Sequence, residues 1–310
     1  MAKTKLKAVK NSIEVVQVGA SMGAEIKGLD LAVPLDLDTA AAVRRALVEH
    51  KVIFFRDQDI TPAQQVAFGR HFGELETHPF SPDMPGVPEI VVLDNNKDNP
   101  VLSTDIWHAD TTFRQAPTQF SILLCRVAPE RGGDTLWANM VAAYEGLSDP
   151  VKNMIAGLEA IHDFKNFRKL FADDEESRAR LHEMERKYPN PLHPVVRTHP
   201  DTGERALYVN PQFTVRIKGL SVRESDGILG ILYEQAKTPE YQFRLTWEPG
   251  TLAVWDNRST QHYASNDYYP SRRRMERVAT LGERPYFDPK AKPKSKSPPV
   301  LRVHAHEGLH

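Results

Sequence analysis

The sequence predicts a mainly β fold: an antiparallel jelly roll with helical insertions. Many short segments show the alternating or continuous apolar pattern of β-strands, and only a few show helical periodicity. The two kinds of segment do not alternate regularly, so the βαβ units of a parallel sheet are not expected. Short strands joined by turns, with occasional helices, are typical of jelly rolls.

The first half of the chain is predicted to contain two helices between short strands. Asp38 is a candidate N-cap for the first helix, which we expect to run to about His50. Thr61 and Gln64 have the spacing of a capping box around Pro62, which takes the favoured first helical position, and they predict the second helix. Apolar patterns predict the strands within 13–31 and at 52–55 and 90–93.

The second half of the chain is predicted to be richer in strands. The glycines of Gly132-Gly133 indicate a tight turn, and the segment 199–203, which contains Pro, Asp and Gly, indicates a hairpin turn. The predicted helices are 139–160, 174–187 and 222–238. The predicted strands are 120–127, 194–198, 205–210, 243–247, 251–256 and 276–282.

Composition limits the classes of function. The 310 residues are 40% hydrophobic and 26% charged, as in ordinary globular proteins, and the formal charge of −1 gives no reason to expect nucleic acid or an anionic membrane as partner. The longest aliphatic and aromatic run, 52–55, is too short to span a bilayer, and the basic start lacks the apolar core of a secretory signal. One cysteine, Cys125, excludes an internal disulfide, so we expect a cytoplasmic protein.

We expect a single folded domain over residues 13–287. Residues 1–12 are polar and basic, which predicts a flexible N-terminal arm. Residues 288–310 begin with a stretch rich in Pro and Lys and poor in apolar residues, which predicts a disordered tail.

The first functional pattern consists of two histidines and one aspartate: His108, Asp110 and, 152 residues after the aspartate, His262. Two imidazoles and one carboxylate can hold one face of an iron(II) ion and leave the other face open to substrate and dioxygen. Zinc accepts the same three donors plus water, so a zinc hydrolase is the alternative class. A second His-x-Asp triplet, from His199 to Asp201, lies in the predicted hairpin turn and is interpreted as structural.

Two arginines follow the last histidine of this pattern. In a strand, Arg273, Met275 and Arg277 share one face. A buried guanidinium needs an anionic partner, and arginine binds carboxylate or sulfonate through two parallel hydrogen bonds. Two inward arginines therefore suggest two small anionic molecules bound together. A jelly roll that only binds ligands has no need of a complete open metal triad, so we favour an enzyme.

Three motifs, in this order along the chain, resemble the taurine dioxygenase family of iron(II)- and 2-oxoglutarate-dependent oxygenases. They are Trp107-His108-Ala109-Asp110-Thr111-Thr112-Phe113, Gly132-Gly133-Asp134-Thr135-Leu136-Trp137 and Trp255-Asp256-Asn257-Arg258-Ser259-Thr260-Gln261-His262-Tyr263-Ala264. Further similarity lies in Gly73-Glu74-Leu75 with His78-Pro79, in 193–200 and in Val209-Asn210 before Phe213. The similarity runs from about Val15 to Pro285 and implies a double-stranded β-helix.

The resemblance implies a role for each position that matches a family motif. The implied iron(II) ligands are His108, Asp110 and His262. The implied partners of the distal carboxylate of 2-oxoglutarate are Thr135 and Arg273. The implied substrate-binding residues are Arg277, which would hold an anionic head group, and His78 and Phe213.

One position departs from the family pattern. Thr104 stands four residues before the first implied ligand, where the family has an asparagine that contacts substrate. A hydroxyl there can also bond a sulfonate or an amine. A further aromatic of the pocket corresponds to either Phe164 or Phe167.

The resemblance also implies the reaction. Dioxygen and 2-oxoglutarate would be consumed, with succinate and carbon dioxide formed and a substrate carbon hydroxylated. Taurine would give aminoacetaldehyde and sulfite. An alkylsulfate ester, another sulfonate or an aryloxyalkanoate remain alternatives, because each needs an anion-binding arginine. Family members form dimers or tetramers, so we expect a homo-oligomer.

Overall fold

A computed structural model describes residues 13–78, 80–81, 83–99, 105–164 and 173–294. The strands are β1 Glu14–Gln17, β2 Ala24–Lys27, β3 Val52–Phe55, β4 Asp83–Met84, β5 Val87–Asn95, β6 Phe120–Val127, β7 Thr135–Asn139, β8 Glu159–His162, β9 Leu192–Pro194, β10 Val196–Thr198, β11 Arg205–Leu207, β12 Thr214–Ile217, β13 Gln242–Leu245, β14 Leu252–Asp256, β15 Thr260–Ala264 and β16 Arg273–Ala279. The α-helices are α1 Leu37–His50, α2 Pro62–Arg70, α3 Met140–Glu145, α4 Asp149–Ile155, α5 Glu175–Lys187 and α6 Val222–Glu234.

The largest sheet has eight strands in the order β1-β2-β3-β14-β6-β16-β5-β4. Its neighbours are antiparallel except for β2 and β3. A three-stranded antiparallel sheet, β13-β7-β15, is the second main unit. Two smaller sheets, β12-β8-β9 and β10-β11, complete the described strands. The prediction of a mainly β fold with a few helices is confirmed.

Successive side chains of each strand in the large sheet point to opposite faces, and each face packs into a different core. Phe54 and Leu123 pack with Trp137 and Phe243 of the β13-β7-β15 sheet, so the second sheet covers this face. The opposite face, which includes Phe55, packs against α1 and α2. The outer face of the second sheet packs in turn against α3, α6 and the two smaller sheets. The interior between the two main sheets is the layer from which the site is built.

Local capping explains where the first helices begin. The N-cap of α1 is Asp36, whose side chain accepts the Thr39 backbone N–H, so the prediction that Asp38 caps this helix is wrong. Asp38 lies in the first turn, where a carboxylate is favourable near the positive end of the helix dipole. The capping box of Thr61 and Gln64 at the start of α2 is confirmed.

The helix predicted over 139–160 is two short helices and a strand. Asn139 caps α3 by accepting the N–H groups of Val141 and Ala142. Pro150 lies at the start of α4, where proline is well tolerated because its missing N–H needs no partner there. Gly157 then takes a φ of +76°, which turns the chain into β8. The apolar periodicity continued through these breaks and concealed them.

The second His-x-Asp triplet connects β10 to β11, as predicted for a hairpin turn. Residues 288–294, which we assigned to a disordered tail, lie against this hairpin. The Lys294 backbone N–H donates to the Thr202 carbonyl, and Arg205 donates to the Pro289 carbonyl. The predicted beginning of the tail at 288 is therefore too early. The predicted N-terminal arm, residues 1–12, and the rest of the predicted tail, residues 295–310, lie outside the described residues.

Membrane insertion gains no support from the helices. Across the described ranges, none is both long and apolar enough to cross a bilayer.

The layered core predicts the effect of truncating Phe55, which is fully buried and meets Phe68 edge to face at 5.7 Å. Phe55→Ala should lower the free energy of unfolding by about 3–5 kcal/mol, because it loses buried apolar area and leaves a cavity. The control Leu37→Ala, at a position 85% exposed, should change it by less than about 0.5 kcal/mol. Chemical denaturation measures both, and equal effects would contradict the assignment of this core.

Candidate active site

Backbone pairing brings His108 and His262 together. The His108 N–H donates to the His262 carbonyl at 3.0 Å, and the His262 N–H donates to the His108 carbonyl at 2.7 Å. His262 lies in β15, so this bridge adds one residue pair to the edge of the β13-β7-β15 sheet. The two imidazole ring centroids are 4.0 Å apart.

Asn257 fixes the backbone of Asp110. Its side-chain oxygen accepts the Asp110 N–H at 2.7 Å, and its side-chain nitrogen donates to the Asp110 carbonyl at 3.0 Å. The same nitrogen donates to the Thr118 carbonyl at 2.8 Å. Asn257 directly follows β14, so the turn that leads to His262 also holds the segment that carries Asp110.

The Asp110 carboxylate is oriented by Ser121, which donates to Oδ2 at 2.7 Å. The other oxygen, Oδ1, lies 3.9 Å from Nε2 of His108 and 3.8 Å from Nε2 of His262. One ligand atom from each of these three residues lies within 4.8 Å of the others. All three residues are buried. Two nitrogens and one oxygen in this arrangement fit a divalent metal such as iron(II).

The protonation states also suit a metal. Burial lowers the pKa of His108, and burial with the neighbouring His108 lowers the pKa of His262 to about 3. Burial alone would raise the pKa of Asp110, but the charges of Arg277 and the two histidines hold it well below its usual range. Two neutral imidazoles and one ionised carboxylate are the forms in which these groups bind metals.

The hydrogen bond of His108 selects its tautomer. Its Nδ1 lies 2.6 Å from the Ile106 carbonyl, which only accepts hydrogen bonds, so Nδ1 carries the proton and Nε2 keeps its lone pair. A hydrogen bond from the ring nitrogen that does not bind the metal commonly orients metal-binding histidines. The His262 ring instead packs against Trp255, with centroids 5.0 Å apart.

Arg277 reaches the same site from β16. Its Nη1 lies 3.0 Å from Asp110 Oδ1, while its buried Nε meets no hydrogen-bond partner in the part of the chain that the structure describes. The two inward arginines were expected to need two anionic ligands. For Arg277 the protein itself supplies one carboxylate, so that argument does not require a ligand here.

Arg273 lies two positions earlier on the same face of β16 and is only 4% exposed. Its Nε donates to the Gly133 carbonyl at 3.0 Å, and its Nη2 is 3.5 Å from Thr135 Oγ1. Its guanidinium also lies near the rings of Trp247 and Tyr268. Among the described residues no carboxylate forms an ion pair with it. A buried guanidinium in this state favours an anionic ligand.

The turn beside Arg273 requires glycine. Gly133 has a φ of +72°, and a Cβ there would lie 3.1 Å from Arg273 Cδ. The turn is fixed because the Gly133 N–H donates to Asp267 Oδ1 at 2.8 Å. Trp247 adds a bond from Nε1 to Thr135 Oγ1 at 2.9 Å. These contacts hold the arginine and the threonine hydroxyl beside each other.

Two of the implied substrate residues, His78 and Phe213, lie near the metal-binding group. His78 is buried, and burial together with the charge of Arg277 lowers its pKa to about 3, so it is neutral. The Phe213 ring is 6.4 Å from the His108 ring and packs in a cluster with Phe113 and Phe164. Phe80, Leu181, Met184 and Tyr188 pack against this aromatic cluster. Thr104 and Phe167 lie outside the described residues.

Several residues of the site were not predicted from the sequence. Ser121 carries no signal of its own, because a serine in a buried strand has many structural uses. Trp247 was likewise not singled out. The side chain of Asn257 bonds Asp110 and Thr118, two residues far from it in the sequence. Its position in the motif that contains His262 was the only available signal.

The fold and the site define a class: a mainly β protein in which two histidines and one aspartate are arranged so that they could hold a metal ion. The chain matches, over residues 14–279, the family described as taurine catabolism dioxygenase TauD, TfdA family. It belongs to this family.

Two relatives and one solved structure illustrate the similarity. An alpha-ketoglutarate-dependent sulfate ester dioxygenase of Pseudomonas putida is 39% identical, over 88% of this chain and 91% of its own. An alkylsulfatase of Acinetobacter baylyi is 37% identical, over 87% and 86%. The crystal structure of a taurine dioxygenase from Burkholderia xenovorans superimposes with a TM-score of 0.75 and 36% identity, over 91% of this chain and 95% of its own.

The contacts of Asn257 predict a metal-binding defect. Asn257→Ala should raise the dissociation constant for Mn(II), a stand-in for iron(II), by about 10- to 100-fold, because loss of groups that orient ligands commonly has this effect. Calorimetric titration of the metal-free protein measures it. The control Asn153→Ala changes an exposed asparagine of α4 and should leave the constant unchanged. Equal constants in both variants would mean that Asn257 does not hold Asp110 for a metal.

Proposed function

We propose that the protein is an iron(II)- and 2-oxoglutarate-dependent dioxygenase, built on a double-stranded β-helix, that acts on a small sulfate ester or sulfonate. The observation that carries the proposal is the convergence of three buried metal donors with two arginines on one strand face. An alkyl sulfate ester is the preferred substrate class, because the two relatives described above are named for sulfate esters and alkylsulfates. Taurine, which we put first from the sequence, is the second candidate.

In this proposal His108, Asp110 and His262 hold iron(II). The bound metal supplies the activation of dioxygen that is coupled to oxidative decarboxylation of 2-oxoglutarate. The three residues contribute one ligand each and leave the remaining positions of the ion to small molecules. Ser121 and Asn257 keep the aspartate in place, so a metal can bind without a large rearrangement of the chain.

Arg273 and Thr135 are proposed to bind the distal carboxylate of 2-oxoglutarate. A guanidinium can bind a carboxylate through two parallel hydrogen bonds. Nε of Arg273 is already committed to the Gly133 carbonyl, so its terminal nitrogens are the donors for a ligand. Trp247 donates to Thr135 Oγ1, which leaves the threonine hydroxyl hydrogen available for the same carboxylate.

Arg277 is proposed to bind the anionic head of the substrate. It would do so while still close to Asp110, whose charge it partly balances. The aromatic cluster beside Phe213 suits a hydrocarbon tail, because an apolar tail gains free energy on leaving water. The ammonium group of taurine would lose hydration on the same surface, which is unfavourable without a partner.

The zinc hydrolase that we kept as an alternative gains no support. The family to which the chain belongs is one of dioxygenases.

Product analysis tests the proposal. With iron(II), 2-oxoglutarate and air, hexyl sulfate should give inorganic sulfate, hexanal and succinate in equal amounts. Hydroxylation of the carbon that bears the ester oxygen gives an unstable product, which breaks down to the aldehyde and sulfate. We expect kcat/KM at least about tenfold above that for taurine, since one buried apolar group contributes roughly 1–3 kcal/mol to discrimination.

Each other result has a distinct meaning. Sulfite from taurine with equal or greater efficiency would overturn the preference for sulfate esters and leave the dioxygenase intact. Sulfate release without 2-oxoglutarate would indicate a hydrolase. No succinate from hexyl sulfate, taurine or a phenoxyacetate, with iron bound, would overturn the dioxygenase.

The role of Arg273 predicts a change in KM for 2-oxoglutarate. Arg273→Gln should raise this KM by about 30-fold or more, because removing one member of a buried, hydrogen-bonded charge pair costs about 2–5 kcal/mol. The control is the adjacent Arg272→Gln, which removes a half-exposed side chain paired with Asp94. It should change the KM by less than about twofold, as expected for an exposed ion pair. Steady-state succinate formation measures both, and similar KM values would contradict the assignment.

Three sequence-based expectations stay predictions. They are the single folded domain, the homo-oligomer and the cytoplasmic location. Size-exclusion chromatography with light scattering tests the second of these directly.

A further inference from the structure

The second His-x-Asp triplet makes buried polar contacts that a hairpin turn alone does not need. Nε2 of His199, which is 1% exposed, lies 2.9 Å from Asp256 Oδ2. Asp201 Oδ2 accepts a hydrogen bond from Arg258 Nη2 at 2.8 Å. His199 and Asp201 therefore both contact the segment in which β14 ends and the turn towards β15 begins.

The direction of the His199 bond follows from its other nitrogen. Nδ1 lies 3.2 Å from the backbone N–H groups of Asp201 and Thr202, both of which only donate. Nδ1 must therefore accept, and Nε2 carries the proton. The imidazole donates that proton to the Asp256 carboxylate.

Asp256 and Arg258 form a closed unit inside the protein. Asp256 Oδ1 accepts from the Arg258 backbone N–H at 3.0 Å and from its Nε at 2.8 Å, and Oδ2 accepts from Nη2 at 2.7 Å. Their side chains are 0% and 2% exposed. The positive groups around Asp256 outweigh its burial and hold its pKa well below the ordinary range. A buried carboxylate with so many donors has little freedom to move.

The residue between them is Asn257, whose side chain holds the Asp110 backbone on both its N–H and its carbonyl. The neighbours of Asn257 on either side are thus tied to the hairpin, while Asn257 itself faces the metal-binding group. Any rotation of this turn would move the amide of Asn257 and, with it, Asp110.

We propose that His199 and Asp201 are positioning residues for the metal site, which act on Asp110 through Asp256 and Arg258. This inference rests on the proposed function, in which Asp110 binds iron(II). The hairpin has a separate structural attachment in the buried ion pair of Lys51 with Glu204, at 3.5 Å. That ion pair uses the Lys51 side chain, whereas the Lys51 backbone carbonyl accepts the Asp256 N–H at 2.9 Å. A change of the side chain alone leaves this backbone bond in place, so the two roles can be separated.

Two substitutions of His199 test the proposal against a purely structural role. His199→Gln keeps a donor near the position of Nε2 and should leave the Mn(II) dissociation constant within about twofold of the wild-type value. His199→Asn keeps a polar group near Nδ1 but removes the donor to Asp256. It should raise the constant by about three- to tenfold, less than the loss of a group that contacts a ligand directly.

The matched control is Lys51→Met, which removes a buried contact of the same hairpin. It should lower the midpoint of thermal unfolding but leave Mn(II) affinity unchanged. The EPR spectrum of bound Mn(II) provides a second readout, because a displaced Asp110 changes the symmetry at the metal. We expect an altered spectrum for His199→Asn and a wild-type spectrum for the other two variants.

The outcomes separate this inference from the proposed function. If the wild-type protein binds Mn(II) no more tightly than the Asp110→Ala variant does, the assignment of the metal site is wrong. If wild-type binding depends on Asp110 but His199→Asn and His199→Gln bind Mn(II) equally, the metal site stands and the positioning role is overturned. A loss of affinity in Lys51→Met equal to that in His199→Asn would also overturn it, since hairpin stability alone would then explain the effect.

Discussion

A buried carboxylate is the constraint on which the candidate site depends. Taking the Asp110 charge out of water costs several kcal/mol unless opposite charge and hydrogen bonds offset it. Ser121 and Arg277 supply these contacts from β6 and β16, two adjacent strands of the large sheet. The two histidines approach from the edge of the other main sheet. The metal donors therefore come together only when the two main sheets are packed against each other.

The two arginines of β16 meet this constraint differently. Arg277 is balanced by a carboxylate of the protein, whereas Arg273 is bonded to a carbonyl and lies beside a hydroxyl. Burial lowers the pKa of Arg273, which reflects the cost of keeping its charge there. Under the proposed function, a bound carboxylate would offset that cost. Part of the affinity for 2-oxoglutarate would then come from relieving an unpaired buried charge.

The sequence was informative where one residue type has few alternatives. His108, Asp110 and His262 could be grouped from the sequence because few other sites need this set of donors, and the structure brings them within ligand distance of one another. Strand alternation also identified the shared face of Arg273 and Arg277. It could not show that Arg277 contacts Asp110, because that contact depends on how two segments far apart in sequence are packed.

The helix limits were harder to predict, since several residues near each end can act as caps. Asp36 and Asp38 are both reasonable N-caps for α1, and only the backbone conformation at Asp36 decides between them. Between 139 and 160 the apolar pattern fits one helix, yet α3 ends at Glu145 and α4 ends at Ile155, before Gly157 at positive φ turns the chain into β8. Tertiary contacts determine such positions, which local propensity describes weakly.

The second His-x-Asp triplet shows how a correct structural interpretation can still be incomplete. Pro200 and Gly203 predict the turn between β10 and β11, and the turn is present. The same segment, however, buries His199 against Asp256, a carboxylate 57 positions later in the chain. The burial of His199 beside Asp256 connects the hairpin to the metal donors through hydrogen bonds at either end and, between them, through the backbone that joins Asp256 to Asn257.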